Sequence, residues 1–259
     1  GNGITVDTTE YTVTVEVTDN GDGTLTVTAP DNAKALDFVN TYKAEGEIEL
    51  TGTKTLVGRE LAAGEFSFDL IDAGGKVIET ATNDAEGKIK FEKLTYTTED
   101  VGATYTYTVK EKTGDLPGVT YDDAVITVEV KVEDVGGKLS ATLTDKTEAI
   151  AFTNTYEAAG KITFAGTKTI EGRELTAADV FTFEIKEGET VIATVNNDAT
   201  GKIAYPTIKY TLADVGEHTY TVKETSEDGN GITVDTTEYT VTVKVEDAGN
   251  GRLTVTATD

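Results

Sequence analysis

The 259-residue chain has no cysteine, methionine or tryptophan, only three prolines, and a single histidine, His218. Without thiols there are no disulfides, no thiolate metal sites and no cysteine nucleophile. One imidazole leaves little room for a His-based triad, and no metal or cofactor site is indicated. Basic residues are scarce too: 22 against 47 acidic ones, a net charge of −25. A polyanion of that strength repels nucleic acid and anionic membranes, so no nucleic-acid partner is expected. No apolar run is long enough for a transmembrane helix, so no membrane insertion is expected here, and no signal peptide opens the chain. The first residues begin in mid-pattern, as in a piece of something longer.

What the chain does have is threonine-rich alternation: YTVTVEV at 11–17, YTYTVKE at 105–111, VITVEVKV at 125–132 and YTVTVKVE at 239–246. Alternation of this kind turns one strand face to a core and the other to water. Gly-, Asn- and Asp-rich breaks such as DNGDG, DAGG and DAGNG separate the runs. The expected fold is all-β, with two packed antiparallel sheets per domain.

The alternation repeats on a larger scale. TGTKTLVGREL begins at Thr51 and AGTKTIEGREL at Ala165, 114 residues later, while GNGITVDTTEYTVTV occurs at 1 and again at 229. The chain is therefore an array of a unit about 114 residues long. Residues 46–156 make one complete unit closed by FTNTY. Residues 160–259 make a second that lacks its closing strand, which falls at about position 268. Residues 1–42 are the tail of a preceding unit, ending in FVNTY with Asn40.

Strand parity then exposes an anomaly. Ile48, Leu50, Gly52, Lys54 and Leu56 share one face, and Phe152 and Tyr156 share theirs with Asn154. Tyr105, Tyr107, Val109 and Glu111 share another, as do His218, Tyr220, Val222 and Glu224. The face of Ile162, Phe164, Gly166 and Ile170 likewise holds Lys168. A core-facing lysine, glutamate and asparagine per unit is costly unless the three serve one another. A buried Lys–Glu ion pair beside an asparagine is one solution. The other is chemical: burial disfavours both charges, a neutral amine is a nucleophile, and a protonated carboxyl can polarise the carboxamide and pass protons as ammonia leaves. The product is an amide crosslink, with folding supplying the proximity.

The order of a GTK strand, a central YTVKE and a closing FxNTY resembles the isopeptide-linkage domains of streptococcal major pilins (FctA-like), within the broader CnaB-like class of Gram-positive surface stalk domains. The resemblance spans all of 46–156 and most of 160–259. It implies tandem immunoglobulin-like sandwiches whose first and last strands are covalently joined. It implies Lys54 as nucleophile, Asn154 as acceptor and Glu111 as catalytic acid. Lys168 and Glu224 match the same roles in the second unit, where the acceptor is missing, and Asn40 matches an acceptor without its lysine. The implied protein is a rigid, extracellular, cell-wall-associated stalk, adhesin or pilin. It is no turnover enzyme, since its one reactive constellation consumes itself. Its expected partners are neighbouring repeats, and residues 30–42 of one molecule are expected to complete the open unit of another by strand donation. The alternative is a module binding a host protein or glycan. That alternative predicts clustered exposed aromatics, whereas nearly all the tyrosines lie on strand patterns shared between units.

Weaker signals read as structure. DNGDG at 19–23 is expected to be a hairpin turn rather than a calcium loop. LPGVT at 116–120 is expected to be a loop, YPTIKY at 205–210 carries no polymerising lysine, and His218 is expected to be a packed or edge side chain. The GREL motifs at 58–61 and 172–175 are expected to form a loop and helical turn without chemistry.

Overall fold

The structure, a computed structural model, describes residues 2–29 and 36–258. The chain divides into two compact units. The first comprises residues 1–54, 62–112 and 123–152, and the second residues 55–61, 113–122 and 153–259.

The first unit opens with two small antiparallel pairs, β1 (Ile4–Thr5) with β4 (Thr41–Tyr42) and β2 (Glu16–Asp19) with β3 (Leu25–Thr28). DNGDG is the turn between β2 and β3, held by Asp19 and Asp22 carboxylates that accept from the N–H groups of Gly21 and Thr24. The strand expected over 11–17 forms only from Glu16 onward. Residues 8–14 and 236–242 carry the same TTEYTVT sequence, yet only the second copy is in a long strand, β23 (Glu238–Asp247). There it is paired from Glu238 onward with β22 (Gly216–Glu224), and β24 (Leu253–Thr258) joins the other edge from Thr242. Strand propensity without a ladder partner does not hold the chain extended.

β5 (Glu45–Ile48) pairs with β10 (Leu94–Thr97), so the lysine strand expected from parity is two strands, broken at Glu49 and Leu50. The second piece, β6 (Thr51–Val57), lies in a four-stranded sheet ordered β12–β15–β6–β9, with β9 (Lys88–Lys90), β12 (Val119–Thr120) and β15 (Ala151–Tyr156). β6 and β15 each contribute residues to both units. The facing sheet has five strands in the order β14–β13–β11–β7–β8. These are β7 (Ser67–Ile71), β8 (Val77–Thr82), β11 (Thr104–Glu111), β13 (Val125–Asp134) and β14 (Leu139–Leu143). The inner faces meet in a core that includes Phe68, Val109 and Val128, all fully buried, and the Phe68 and Phe152 rings lie 5.1 Å apart. This is the two-sheet sandwich that the alternation predicts, except that β6 and β15 run in the same direction, with Gly52 against Ile150 and Gly58 against Tyr156.

The second unit repeats the scheme. β18 (Thr182–Glu187) and β19 (Thr190–Asn196) join β22, β23 and β24 in a five-stranded sheet of the same order. β16 (Ala159–Ile162) pairs with β21 (Ile208–Thr211), and β17 (Ala165–Thr167) with β20 (Lys202–Ala204). Its core gathers Phe183, Ile185, Tyr210, Tyr220, Val243 and Val245. The helical turn expected at the GREL motifs is absent. Residues 58–59 and 171–173 are bends, because Gly58 and Gly172 take positive φ angles of 103° and 86° that a helix cannot use.

One contact recurs with the repeat. Tyr42, in β4, donates its hydroxyl to the carboxylate of Asp134, at the turn after β13. Tyr156, in β15, donates to Asp247 Oδ1 at 2.8 Å, at the turn after β23, and accepts from the Gly251 N–H at 3.1 Å. Gly118, at φ 78°, and Gly251, at φ 75°, approach so closely that a Cβ on Gly118 would sit 2.6 Å from the Gly251 Cα. Neither position tolerates a side chain.

Candidate crosslinking site

Lys54 sits in the middle of β6 and Glu111 at the end of β11, on the inward faces their alternation dictates. Their side chains are wholly inaccessible, and Lys54 Nζ lies 2.8 Å from Glu111 Oε2. Nζ also rests 4.6 Å from the centre of the Phe66 ring, which covers it from one side. The Lys54 N–H donates to the Gly87 carbonyl at 2.6 Å, fixing the lysine against the turn that precedes β9.

Asn154 lies on β15, the neighbour of β6 in the sheet order, and is fully buried. Its Oδ1 accepts from the Asp122 N–H at 2.7 Å. Parity therefore placed Lys54, Glu111 and Asn154 in the interior correctly.

The second unit holds the same pair. Lys168 Nζ lies 2.7 Å from Glu224 Oε2, and 4.5 Å from the centre of the Phe181 ring. This pair is less enclosed: the Lys168 side chain keeps 11 % of its accessible surface. It lines an open groove of about 790 Å³ whose walls include Phe164, Ile203, Val222, Ile232 and Val241. Glu224 Oε1 is buried there without a hydrogen-bond partner. β17 pairs only with β20 among the described residues. Asn40 is exposed on the first unit, and its Oδ1 accepts from the Asp7 N–H at 2.9 Å.

Two residues at this site escape sequence reasoning. Asn83 is 2 % exposed, accepts from the Phe66 N–H at 2.9 Å, and donates to the carbonyls of Ala62 and Asp84, both at 2.8 Å. It thus fixes the aromatic residue beneath Lys54 Nζ. Asn197 does the same for Phe181. The recurrence of ND and GK around each turn, NDAEGK at 83–88 and NDATGK at 197–202, is the sequence signal for it. Asp122 is the other.

His218 occupies the place of Tyr105; among the described residues no group of three or more His, Cys, Asp or Glu side chains is gathered as a metal site would need. Its Nδ1 lies 2.6 Å from Glu187 Oε1 and its Nε2 lies 2.7 Å from the Asp214 carbonyl oxygen. Both partners are acceptors, an arrangement that favours the doubly protonated ring. The Asp214 carbonyl first, then the Glu187 carboxylate, raise its pKa above the ordinary value.

A β-sandwich that buries a lysine, a glutamate and an asparagine near the start, middle and end of its sequence defines a recognisable class of domain. Within that class, the chain belongs to the FctA family, the Spy0128-like isopeptide containing domain, whose model matches residues 1–43, 50–157 and 164–259. No curated protein matches the sequence. Among solved structures, the Bacillus anthracis TIE protein is 17 % identical, with a TM-score of 0.30. The match covers 88 % of this chain but only 38 % of the TIE protein. The major pilin T-13 of Streptococcus pyogenes is 18 % identical, with 83 % and 97 % of the two chains covered and a TM-score of 0.33. A B repeat unit of the collagen-binding surface protein of Staphylococcus aureus is 18 % identical over 82 % of this chain and 98 % of the repeat, with a TM-score of 0.26.

Proposed function

We propose that the chain is a stretch of structural stalk from a bacterial surface fibre, adhesin or pilus, hardened by autocatalytic Lys–Asn isopeptide bonds. The observation that carries this is the wholly buried Lys54–Glu111 contact at 2.8 Å, one strand away from the fully buried Asn154. Moving one proton from Nζ to Oε2 leaves a neutral amine and a neutral acid, removing two buried charges. The amine adds to Asn154 Cγ, forming a C–N bond. Glu111 gives its proton to Nδ2 and takes the surplus proton from the now cationic Nζ; the C–Nδ2 bond breaks as the carbonyl re-forms, and ammonia departs. Nothing is turned over, so the protein acts on itself once and is not an enzyme in the ordinary sense. Membership of an isopeptide-containing family supports this chemistry.

Intact mass tests it. The wild-type chain is expected to weigh one ammonia less than its sequence, and Glu111→Ala the full amount. Full mass in the wild type overturns the proposal.

The groove in the second unit extends the same proposal. A strand bearing FxNxY would lie along β17 and give Glu224 Oε1 the partner it lacks. The exposed Asn40 segment of a second molecule supplies such a strand, although residues 30–35 of the expected donor lie outside the described residues. Covalent multimers on a denaturing gel, abolished by Asn40→Ala, are expected; a lone monomer band rejects intermolecular linkage.

A further inference from the structure

The register of β12 on β15 pairs Val119 with Tyr156 and Thr120 with Thr155. Continued, it sets Asp122 opposite Thr153. At that rung the ladder changes character, because both N–H groups go to side chains. The Asp122 N–H donates to Asn154 Oδ1 at 2.7 Å, and the Thr153 N–H donates to Asp122 Oδ2 at 2.7 Å. The residue before the asparagine is thus tied by the very residue whose backbone binds the asparagine.

The same pair of bonds occurs in the first unit. β1 pairs with β4 through Ile4 with Tyr42 and Thr5 with Thr41, which sets Asp7 opposite Val39. The Asp7 N–H donates to Asn40 Oδ1 at 2.9 Å, and the Val39 N–H donates to Asp7 Oδ2 at 2.9 Å. Residues 1–42 contain no GTK strand. The clamp therefore belongs to the aspartate and the acceptor strand, not to the lysine–glutamate pair. In the second unit the matching residue, Asp235 of ITVD, lines the groove with Lys168 and Glu224. Its Oδ1 accepts from the Thr237 N–H at 2.9 Å, as Asp7 Oδ1 does from the Thr9 N–H at 2.8 Å.

We propose that Asp122 completes the reaction centre: its backbone N–H is the oxyanion donor for Asn154, and its carboxylate is the positioning group that holds that N–H in place. This rests on the crosslink proposed above. When the lysine amine adds to Cγ, the carbonyl electrons move onto Oδ1, the atom this N–H already touches. A donor at 2.7 Å lies in the range that stabilises a developing oxyanion. An N–H donor also requires an acceptor, so it fixes which arm of the carboxamide is oxygen and which is the departing nitrogen. The labour divides cleanly. Glu111 moves protons, whereas the Asp122 N–H, which does not titrate, holds the oxygen. Asp7 and Asp235 have the same role in their repeats.

The test is the time course of ammonia loss, followed by intact mass after cell-free synthesis of the full chain. Asp122→Asn keeps an oxygen to accept from Thr153 and is expected to react near the wild-type rate. Asp122→Ala loses it and is expected to slow by about 100-fold, the order seen for misplaced reacting groups. The slowdown should be the same at every pH, since no proton carrier is removed. Asp122→Glu keeps the charge but shifts the oxygens by one methylene and should also be slow, which covers the case of an unfolded alanine variant. Wild-type rates in Asp122→Ala or Asp122→Glu, or equal slowing in Asp122→Asn, overturn the assignment. Failure of the crosslink itself is read separately, as full mass in the wild type.

Discussion

At the residue scale, the buried side chains were legible where they broke an alternation. Lys54, Glu111 and Asn154 each sit where parity demands an apolar residue, and each is buried. Asp122 and Asn83 were not legible, because aspartate and asparagine next to Gly-rich segments look like ordinary solvated turns. Only the three-dimensional placement shows that Asn83 satisfies three backbone groups behind Phe66. The histidine carries a pH prediction. Its folded pKa is raised above the ordinary value of 6.5, so the folded state binds the proton more tightly. The stability it contributes is fully present below pH 6.5 and is lost as pH rises through the folded pKa. The melting temperature of the second unit should therefore fall as pH rises past neutrality. His218→Tyr, which installs the residue found at 105, should remove that step. A pH-independent difference between the two proteins contradicts it.

At the element scale, the period-two pattern identified the class of fold and most strands, but it could not tell which strands find partners. The TTEYTVT segments make the point, since identical residues enter a strand paired with β22 in β23 and form no strand at 11–15. Hydrogen exchange should read this directly. Amides of residues 239–243 are expected to be strongly protected and those of the identical 11–15 to exchange near the open-chain rate. Equal protection in the two copies is the contrary result. The lysine strand shows the limit from the other side. Its inward face runs unbroken in register from Ile48 through Lys54 to Leu56, yet the backbone changes partners at Glu49 and Leu50, from β10 to β9. A face pattern records burial and is blind to which neighbour the hydrogen bonds choose.

At the scale of the whole molecule, the proposed bond encloses about a hundred residues, and a crosslink of that span removes roughly 4 to 5 kcal/mol of unfolded-state entropy. Its mechanical effect is larger than that sum. Force entering at Lys54 leaves at Asn154, so the residues between them cannot lengthen. Pulled by its ends, the chain is expected to reach a contour about 340 Å shorter than its full sequence allows, and Glu111→Ala to recover that length. A full-length contour in the wild type excludes the bond. Tyr156 then acquires a different significance. It stands two residues beyond Asn154, tethered by Asp247 and Gly251 through two hydrogen bonds that break and re-form readily. The segment from Thr155 to Thr167 measures at most about 45 Å when fully drawn out, and the strands β15, β16 and β17 already hold most of it extended. In a fibre of such repeats hardened by the proposed bond, these two hydrogen bonds would be the weakest ties along the load path, able to break and re-form while the covalent link holds.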